Sequence, residues 1–482
     1  MNSNPEDHGI GARITRYSAI LAVSGILCKI LLLVYTVLAV DILGKEQFGR
    51  IEYFIEMAII FSVLVDFGLE QTVTREIARR RGDLQRYLYP LLTFRLAASL
   101  FSAVLMTLVM RLLAQPGHTW LLLLSSLTYL IVVTNIMLAR AIVRSFELMA
   151  YEGLANIIDK VIHIGLAILV LFLLPSLPII VLCYTAGSLA ALAVYMYVIL
   201  TRFGLRKTAY TLQDWIEWQK KAVPIGLSAA CILLLHREDT AMVNWIRGDA
   251  ETGLYRAPYR FLEGLFLFPQ VIAISAYPVF SKLFHEKRPF QESAALLLRG
   301  LILMSLPMAI GGLCVADEMM LWLTPELGAP GGFVFKLLLW SLPFIYANFL
   351  LGTILNAANR QHLNVRASAW GLFCNALFNI PAIYYYGAFG ASIVTVLTQG
   401  LYCILMLIYT RDFCIFQDWR RYASILFSCL LMYAALSWLD WPWYASIPGG
   451  IIIYVVSITL TQGLTKTDIN NLLRVAIKKS DS

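Results

Sequence analysis

Apolar stretches long enough to cross a lipid bilayer follow one another from residue 17 to residue 463, separated only by short polar loops. A hydrocarbon core about 30 Å thick needs roughly 20 such residues in a helix, at about 1.5 Å rise per residue. In that medium each backbone N–H and C=O must be satisfied within its own segment, so runs of this length are read as helices. The reading is an all-α polytopic membrane protein of fourteen spans. They fall at about 17–40, 50–72, 87–113, 119–142, 154–174, 177–201, 222–246, 254–281, 293–316, 333–355, 364–386, 388–410, 421–440 and 443–463. Composition agrees: 59% of residues are hydrophobic and 14% charged, whereas a soluble domain is nearer half apolar and a quarter charged.

Several of these spans carry lone cations: Lys29, Arg95, Arg237, Arg256 and Arg260. A charge at lipid depth is costly and normally faces a protein interior or a watery cavity. Repeated cations there predict a cavity that receives an anion. Arg supplies planar forked donors that match phosphate, and Lys acts as a point charge. For Arg95, about two turns into its helix, snorkelling to the interface is the competing reading.

Most of the 38 Lys and Arg residues gather on one side of this arrangement, including Arg75, Arg79–Arg81, Arg140, Arg144, Arg206, Lys207, Lys220, Lys221, Lys282, Lys287, Arg288, Arg411, Arg420 and Arg421. The other side holds Lys45, Arg50, Arg111, Arg247 and Lys336. The positive-inside rule then puts both termini in the cytoplasm. The Arg79–Arg81 run reads as an anchor after the second span, and no nucleic-acid partner is expected. Met1–Arg16 has no apolar core of a signal peptide, so none is expected. The eight cysteines lie mostly in apolar runs and form no CxxC or Cys/His cluster, so they read as small buried hydrophobes. No metal, cofactor or catalytic residue is expected, and no P-loop, GxSxG or HExxH pattern argues otherwise.

His236-Arg237-Glu238-Asp239 places four polar residues inside the expected seventh span. Spread around a helix, they cannot converge into a catalytic centre by themselves. Arg237 is a substrate-binding candidate and Asp239 a proton or cation site, with structural pairing as the alternative. Asp159, Lys160 and His163 in the fifth span read as an internally paired group, from the i, i+4 spacing of Asp159 and His163. Asp66 and Glu70, near the cytoplasmic end of the second span, read as hydrated. Tyr384-Tyr385-Tyr386 reads as an interfacial aromatic belt. Thr211–Lys221 reads as an interfacial helix, with Thr211 and Asp214 at capping-box spacing and Trp215 and Trp218 at headgroup level. Its Gln213–Trp215 is echoed at Gln417–Trp419, and a second surface helix is expected at 467–479.

Sliding the chain on itself by 204 residues sets Gly44-Lys45-Glu46-Gln47-Phe48-Gly49 over Gly248-Asp249-Ala250-Glu251-Thr252-Gly253. A six-span offset leaves both segments on one side, as in a parallel repeat with its site between the halves. The same register sets Glu52 over Arg256 and Glu56 over Arg260. Each pair is spaced i, i+4 and so lines one helix face. The expectation is a charge gate: the acidic face pairs with the basic one in one conformation and frees the arginines in the other. In the alternative, Glu52 and Arg256 snorkel at the outer interface. Glu52, Glu56, Asp239 and Glu263 are the gate or ion-coupling candidates.

Leu43-Gly44-Lys45-Glu46-Gln47-Phe48-Gly49, then Asp66-Phe67-Gly68-Leu69 and Arg75-Glu76-Ile77-Ala78, resembles the first-repeat signature of the Wzx-type polysaccharide flippases. Tyr255–Glu263 with Pro269 and Tyr277-Pro278 is similar to the matching second-repeat helix. Asn356–Gln361 and Gly387–Ser392 fit the tenth to twelfth spans of the same multidrug/oligosaccharidyl-lipid/polysaccharide (MOP) exporter superfamily. The resemblance covers residues 15 to 410 and implies two six-helix lobes around a central cavity. The layout is then a cytoplasmic tail (1–16), an N-lobe (17–201), an interfacial linker (202–221), a C-lobe (222–410), an accessory helix pair (411–463) and a cytoplasmic tail (464–482). It also implies movement of undecaprenyl-diphosphate-linked oligosaccharide to the periplasmic leaflet of a bacterial inner membrane by alternating access. Membrane lipids, a coupling proton or sodium ion, and polysaccharide polymerase and assembly proteins are the implied partners. Lipid II flippases similar to MurJ and cation-driven drug exporters similar to MATE proteins are the alternatives. Repeated arginines argue against the latter, whose organic cations they would repel.

Overall fold

The computed structural model describes residues 5–79, 84–113, 115–204, 212–413 and 419–463, which form helices and short connections without strands. The helices are α1 (Pro5–Asp66), α2 (Leu69–Arg79), α3 (Leu84–Leu112), α4 (Trp120–Ser145), α5 (Met149–Leu173), α6 (Leu177–Phe203), α7 (Leu212–Leu235) and α8 (Glu238–Arg247). They continue with α9 (Asp249–Leu265), α10 (Leu267–His285), α11 (Gln291–Leu323), α12 (Gly328–Leu339), α13 (Leu342–Ala357), α14 (Gln361–Thr410), α15 (Trp419–Leu439) and α16 (Trp443–Leu460).

Eleven helical stretches among the described residues are long and apolar enough to cross a bilayer. The expected fourteen is therefore not reached by length and hydropathy alone. Two of the eleven, within α1 and α14, contain a non-helical glycine: Gly44 (φ 75°) and Gly387 (φ 56°). The expected seventh span is not one helix: it breaks at His236–Arg237 between α7 and α8. The expected eighth breaks at Phe266 between α9 and α10. Pro258 and Pro278 lie inside these helices without ending them. The lipid-facing character is plain on α3, where Phe101, Val104, Leu108 and Leu112 form an exposed apolar stripe at helical spacing. A water-soluble surface would not sustain many such stripes. The chain is a multi-pass membrane protein.

The expected interfacial helix proves to be the first part of α7, which runs unbroken from Leu212 to Leu235. Trp215 lies against Phe94 and Trp218 against Tyr87, so these indoles pack on α3. Thr211, the cap expected there, lies outside the described residues, as do Arg80 and Arg81, Arg206 and Lys207, Gln417 and the 467–479 segment.

The chain divides into two compact units, one of residues 17–256, the other of 257 onward with the first sixteen residues. The division falls inside α9, later than the 202–221 linker where the lobe boundary was expected. In the 17–256 unit, α4 packs on α2, α3 and α6, and α5 on α6. Its core gathers Leu69, Val73, Leu91, Leu138, Ile142 and Tyr195. In the other unit, α11 packs on α12, α13, α15 and α16. There the expected accessory pair, α15 and α16, buries Cys429, Met432, Tyr454 and Ile458 beside Ile310 of α11.

Candidate functional site: a buried charge network

Two glycines set the geometry. Gly44 (φ 75°, ψ 164°) and Gly248 (φ 86°, ψ −172°) share a backbone conformation closed to residues with a Cβ, and they are separated by the repeat offset. Each is followed by a helical segment, and the two segments cross at Gly49 and Gly253. A Cβ at Gly49 would strike the Asp249 carbonyl and the Gly253 nitrogen; one at Gly253 would strike the Lys45 carbonyl. The two backbones meet with no side chain between them.

One turn deeper, the charges meet. The Arg256 guanidinium donates to Glu52 Oε2 (2.9 Å) and Glu56 Oε1 (2.5 Å). Arg237, at the break between α7 and α8, donates to the same Glu56 Oε1 at 2.6 Å. Arg256 and Glu56 are both wholly inaccessible to solvent. The expected facing of acidic and basic helix faces is thus present in the structure, with one change of partner: Glu56 is engaged by Arg256 and Arg237. Arg260 lies on the next turn, its Nη1 3.5 Å from Glu263 Oε2. Snorkelling does not describe Glu52 or Arg256, because both are buried.

His236 to Asp239 are not spread around one helix as expected, because they straddle the break. Asp239 is buried and accepts a hydrogen bond from the Tyr255 hydroxyl at 2.8 Å. Lys29 is half-buried on the first segment of α1.

A second network ties the same helices beside the Gly49–Gly253 crossing. Asp249 accepts from Arg50 Nε (2.6 Å) and Asn244 Nδ2 (2.8 Å) and lies 3.2 Å from His118 Nε2. His118 Nδ1 accepts from the Gln115 N–H, so Nε2 carries the proton it shares with Asp249. Burial alone would raise the Asp249 carboxyl, but the bonds from His118, Asn244 and Arg50, with the charge of Arg50, hold it below the ordinary carboxylate range.

The sequence reading missed a third network. Asp66 and Glu70 are buried rather than hydrated. Glu70 takes a two-pronged bond from Arg140 (2.8 and 2.9 Å) and a third from Arg144 Nη1 (3.1 Å). Arg144 also grips Glu152 at 2.8 and 2.5 Å. Arg95 is fully buried, held by Asp66 at 2.9 Å and by the Thr134 carbonyl at 2.9 Å. Within these described residues it is a strut between α1, α3 and α4, not an interfacial snorkel. The signal was present: Asp66/Glu70 and Arg140/Arg144 are both i, i+4 pairs at the same expected membrane side. In the fifth span, Asp159 pairs with Lys160 (3.1 Å) and Ser188 (3.2 Å), and His163 lies against the Tyr184 ring.

Buried guanidinium groups held by carboxylates can exchange those carboxylates for another anion of similar geometry. That is the chemistry this network offers.

A model of the family described as polysaccharide biosynthesis protein matches residues 14–284, and a MatE model matches 224–381. The probable low-salt glycan biosynthesis flippase Agl15 of Haloferax volcanii is 22% identical over 253 residues, covering 49% of this chain and 52% of that protein. The match therefore spans about half of that relative. Among solved structures, lipid II flippase MurJ in an inward closed conformation superposes with TM-score 0.75 at 14% identity, covering 92% of this chain and 98% of that one. An inward-facing multidrug resistance MATE family transporter gives TM-score 0.63 at 15% identity, covering 80% and 94%. The structural likenesses show a shared fold. With more than half of its length matched by the family model, the chain belongs to the polysaccharide biosynthesis protein family.

Proposed function

We propose that this protein is a flippase that moves undecaprenyl-diphosphate-linked oligosaccharide from the cytoplasmic to the periplasmic leaflet of a bacterial inner membrane by alternating access. The observation that carries this reading is the Glu52–Arg256–Glu56–Arg237 network, two arginines held at expected lipid depth by two carboxylates. A diphosphate presents the same bidentate oxygen geometry as the carboxylates, so it can take their place on Arg256 and Arg237 when the network opens. Closing restores the internal pairs and releases the lipid. Arg260, Arg95 and Lys29 are further substrate candidates. Arg260 ranks above Arg95, which is tied to Asp66 and backbone carbonyls. Family membership and the name of the Haloferax relative favour a glycan cargo.

Both termini are assigned to the cytoplasm from the distribution of Lys and Arg. A lipid II reading shares the diphosphate and differs in the sugar. A drug-exporter reading is disfavoured, because paired arginines repel organic cations.

The test is leaflet exchange in proteoliposomes of a fluorescent undecaprenyl-diphosphate oligosaccharide, against a lipid II analogue and an organic cation. Exchange of the first, lost in Arg256→Gln and Arg260→Ala, supports the reading. Transport of the organic cation alone would reject it.

A further inference from the structure

Every fully buried carboxylate among the described residues, from Glu52 to Glu263, has a cation or a hydrogen-bond donor within reach. Glu238, which is only partly buried, has neither. Its Oε1 is shut off from solvent with no hydrogen-bond partner, and no ion pair reaches it among the described residues. It opens α8, directly after the break at His236–Arg237. Its two neighbours are committed elsewhere: Arg237 to Glu56 (2.6 Å) and Asp239 to the Tyr255 hydroxyl (2.8 Å). With that oxygen shielded from water and lacking a donor, the ionised form is disfavoured, and a bound proton removes the charge. The start of α8 favours the ionised form, but as a partial charge it does not replace a cation. The charged or titratable side chains beside Glu238 along the chain are His236 and Arg237 before it and Asp239 after it; Glu52 and Glu56 of α1 and Tyr255 and Arg256 of α9 belong to the network that Arg237 and Asp239 join. The cations among the ion pairs of this set, Arg237 and Arg256, are held by Glu52 and Glu56.

We propose that Glu238 is a proton-binding site whose proton exchanges with Arg237. While Arg237 holds Glu56, Glu238 is the neutral acid. When the network opens, Arg237 turns to the adjacent carboxyl across the non-helical break. Pairing there requires the carboxylate, so the O–H bond of Glu238 breaks and its proton passes to water. Closing reverses the exchange: Glu238 takes a proton from water and Arg237 returns to Glu56. One proton is bound and one released per opening and closing. Coupling of this proton to lipid transport rests on the flippase reading above; the exchange itself does not.

The experiment is infrared difference spectroscopy of purified full-length protein at neutral pH, reading the C=O stretch of protonated carboxylic acids. Wild type minus Glu238→Gln shows such a band; a flat difference spectrum overturns the proposal. Glu56→Gln keeps Glu238 but releases Arg237, so its spectrum loses the same band; a band retained in Glu56→Gln overturns the exchange with Arg237. This second variant also decides the matter if Glu238→Gln fails to fold. In proteoliposomes with the undecaprenyl-diphosphate probe, Glu238→Gln still flips lipid without a gradient but gains nothing from a pH gradient that accelerates wild type. Undiminished acceleration in the variant overturns the coupling. No lipid movement by wild type, with the infrared band present, overturns the flippase reading and leaves proton exchange at Glu238 standing.

Discussion

Glu52 and Arg256 lie 204 residues apart, the offset of the internal repeat, and they touch at 2.9 Å. A residue can contact its own repeat counterpart only where the two related helices cross. Gly49 and Gly253, also counterparts, meet one turn away. Duplication of one helix, followed by opposite charges at one matched position, is enough to build a buried ion pair at such a crossing.

The pair is constrained by charge count. Arg256 binds both Glu52 and Glu56, so Arg256→Gln takes one guanidinium from each of the two carboxylates. Removing one partner of a buried pair costs about 3–5 kcal/mol. Adding Glu52→Gln restores the balance through Glu56 and Arg237. Thermal melts in detergent are expected to show the double variant closer to wild type than Arg256→Gln; a double variant melting at or below the single would refute this accounting.

The glycine crossing tolerates no side chain. Gly253→Ala forces a methyl against the Lys45 backbone, and overpacking of this kind typically costs about 1–3 kcal/mol or more. Gly165→Ala, where a Cβ meets nothing within 4 Å, is the control and is expected to leave the melt unchanged or slightly higher. Equal melting temperatures for the two variants would count against the close crossing.

The Asp249 network has a pH signature. The folded Asp249 carboxyl titrates below its unfolded counterpart, so its contribution is fully present above the unfolded value, about 4. It fades as pH falls from there through the lower folded value. Asp249→Asn removes this titration, and its melting temperature is expected to fall less steeply with acid than that of wild type. Parallel acid limbs would show that Asp249 is not held as described.

The Glu70–Arg140–Arg144–Glu152 cluster is a stability element in this account. Arg140 and Arg144 are partly exposed, with side-chain accessibilities of 25% and 38%. Glu70→Gln is therefore expected to cost less than a fully buried pair, on the order of 2 kcal/mol. Its melt should drop while the rate of lipid exchange per folded molecule is kept. A selective loss of exchange at unchanged stability would move Glu70 into the transport machinery.

Much of this was legible in residue order. Span-length hydropathy gave the helical membrane architecture, and the 204-residue register singled out Gly44, Gly49 and Glu52 with their counterparts. What stayed hidden depends on helix rotation and on breaks. Glu56 was expected opposite Arg260, but Arg237 reaches it because the chain breaks at His236–Arg237, where no Gly or Pro marks the sequence. The Asp66–Arg95 and Glu70–Arg140 pairs join residues 29 and 70 positions apart, and only the packing of α1, α2, α3 and α4 brings them together.

The central claim is that a lipid-linked diphosphate competes with Glu52 and Glu56 for Arg256 and Arg237. The most direct measurement is leaflet exchange of a fluorescent undecaprenyl-diphosphate oligosaccharide in proteoliposomes, comparing wild type, Arg256→Gln and the Arg256→Gln/Glu52→Gln double variant. The account predicts exchange by wild type and none by either variant, although the double variant recovers stability. Exchange at the wild-type rate in the stable double variant would contradict it, because Arg256 would then have no part in carrying the lipid.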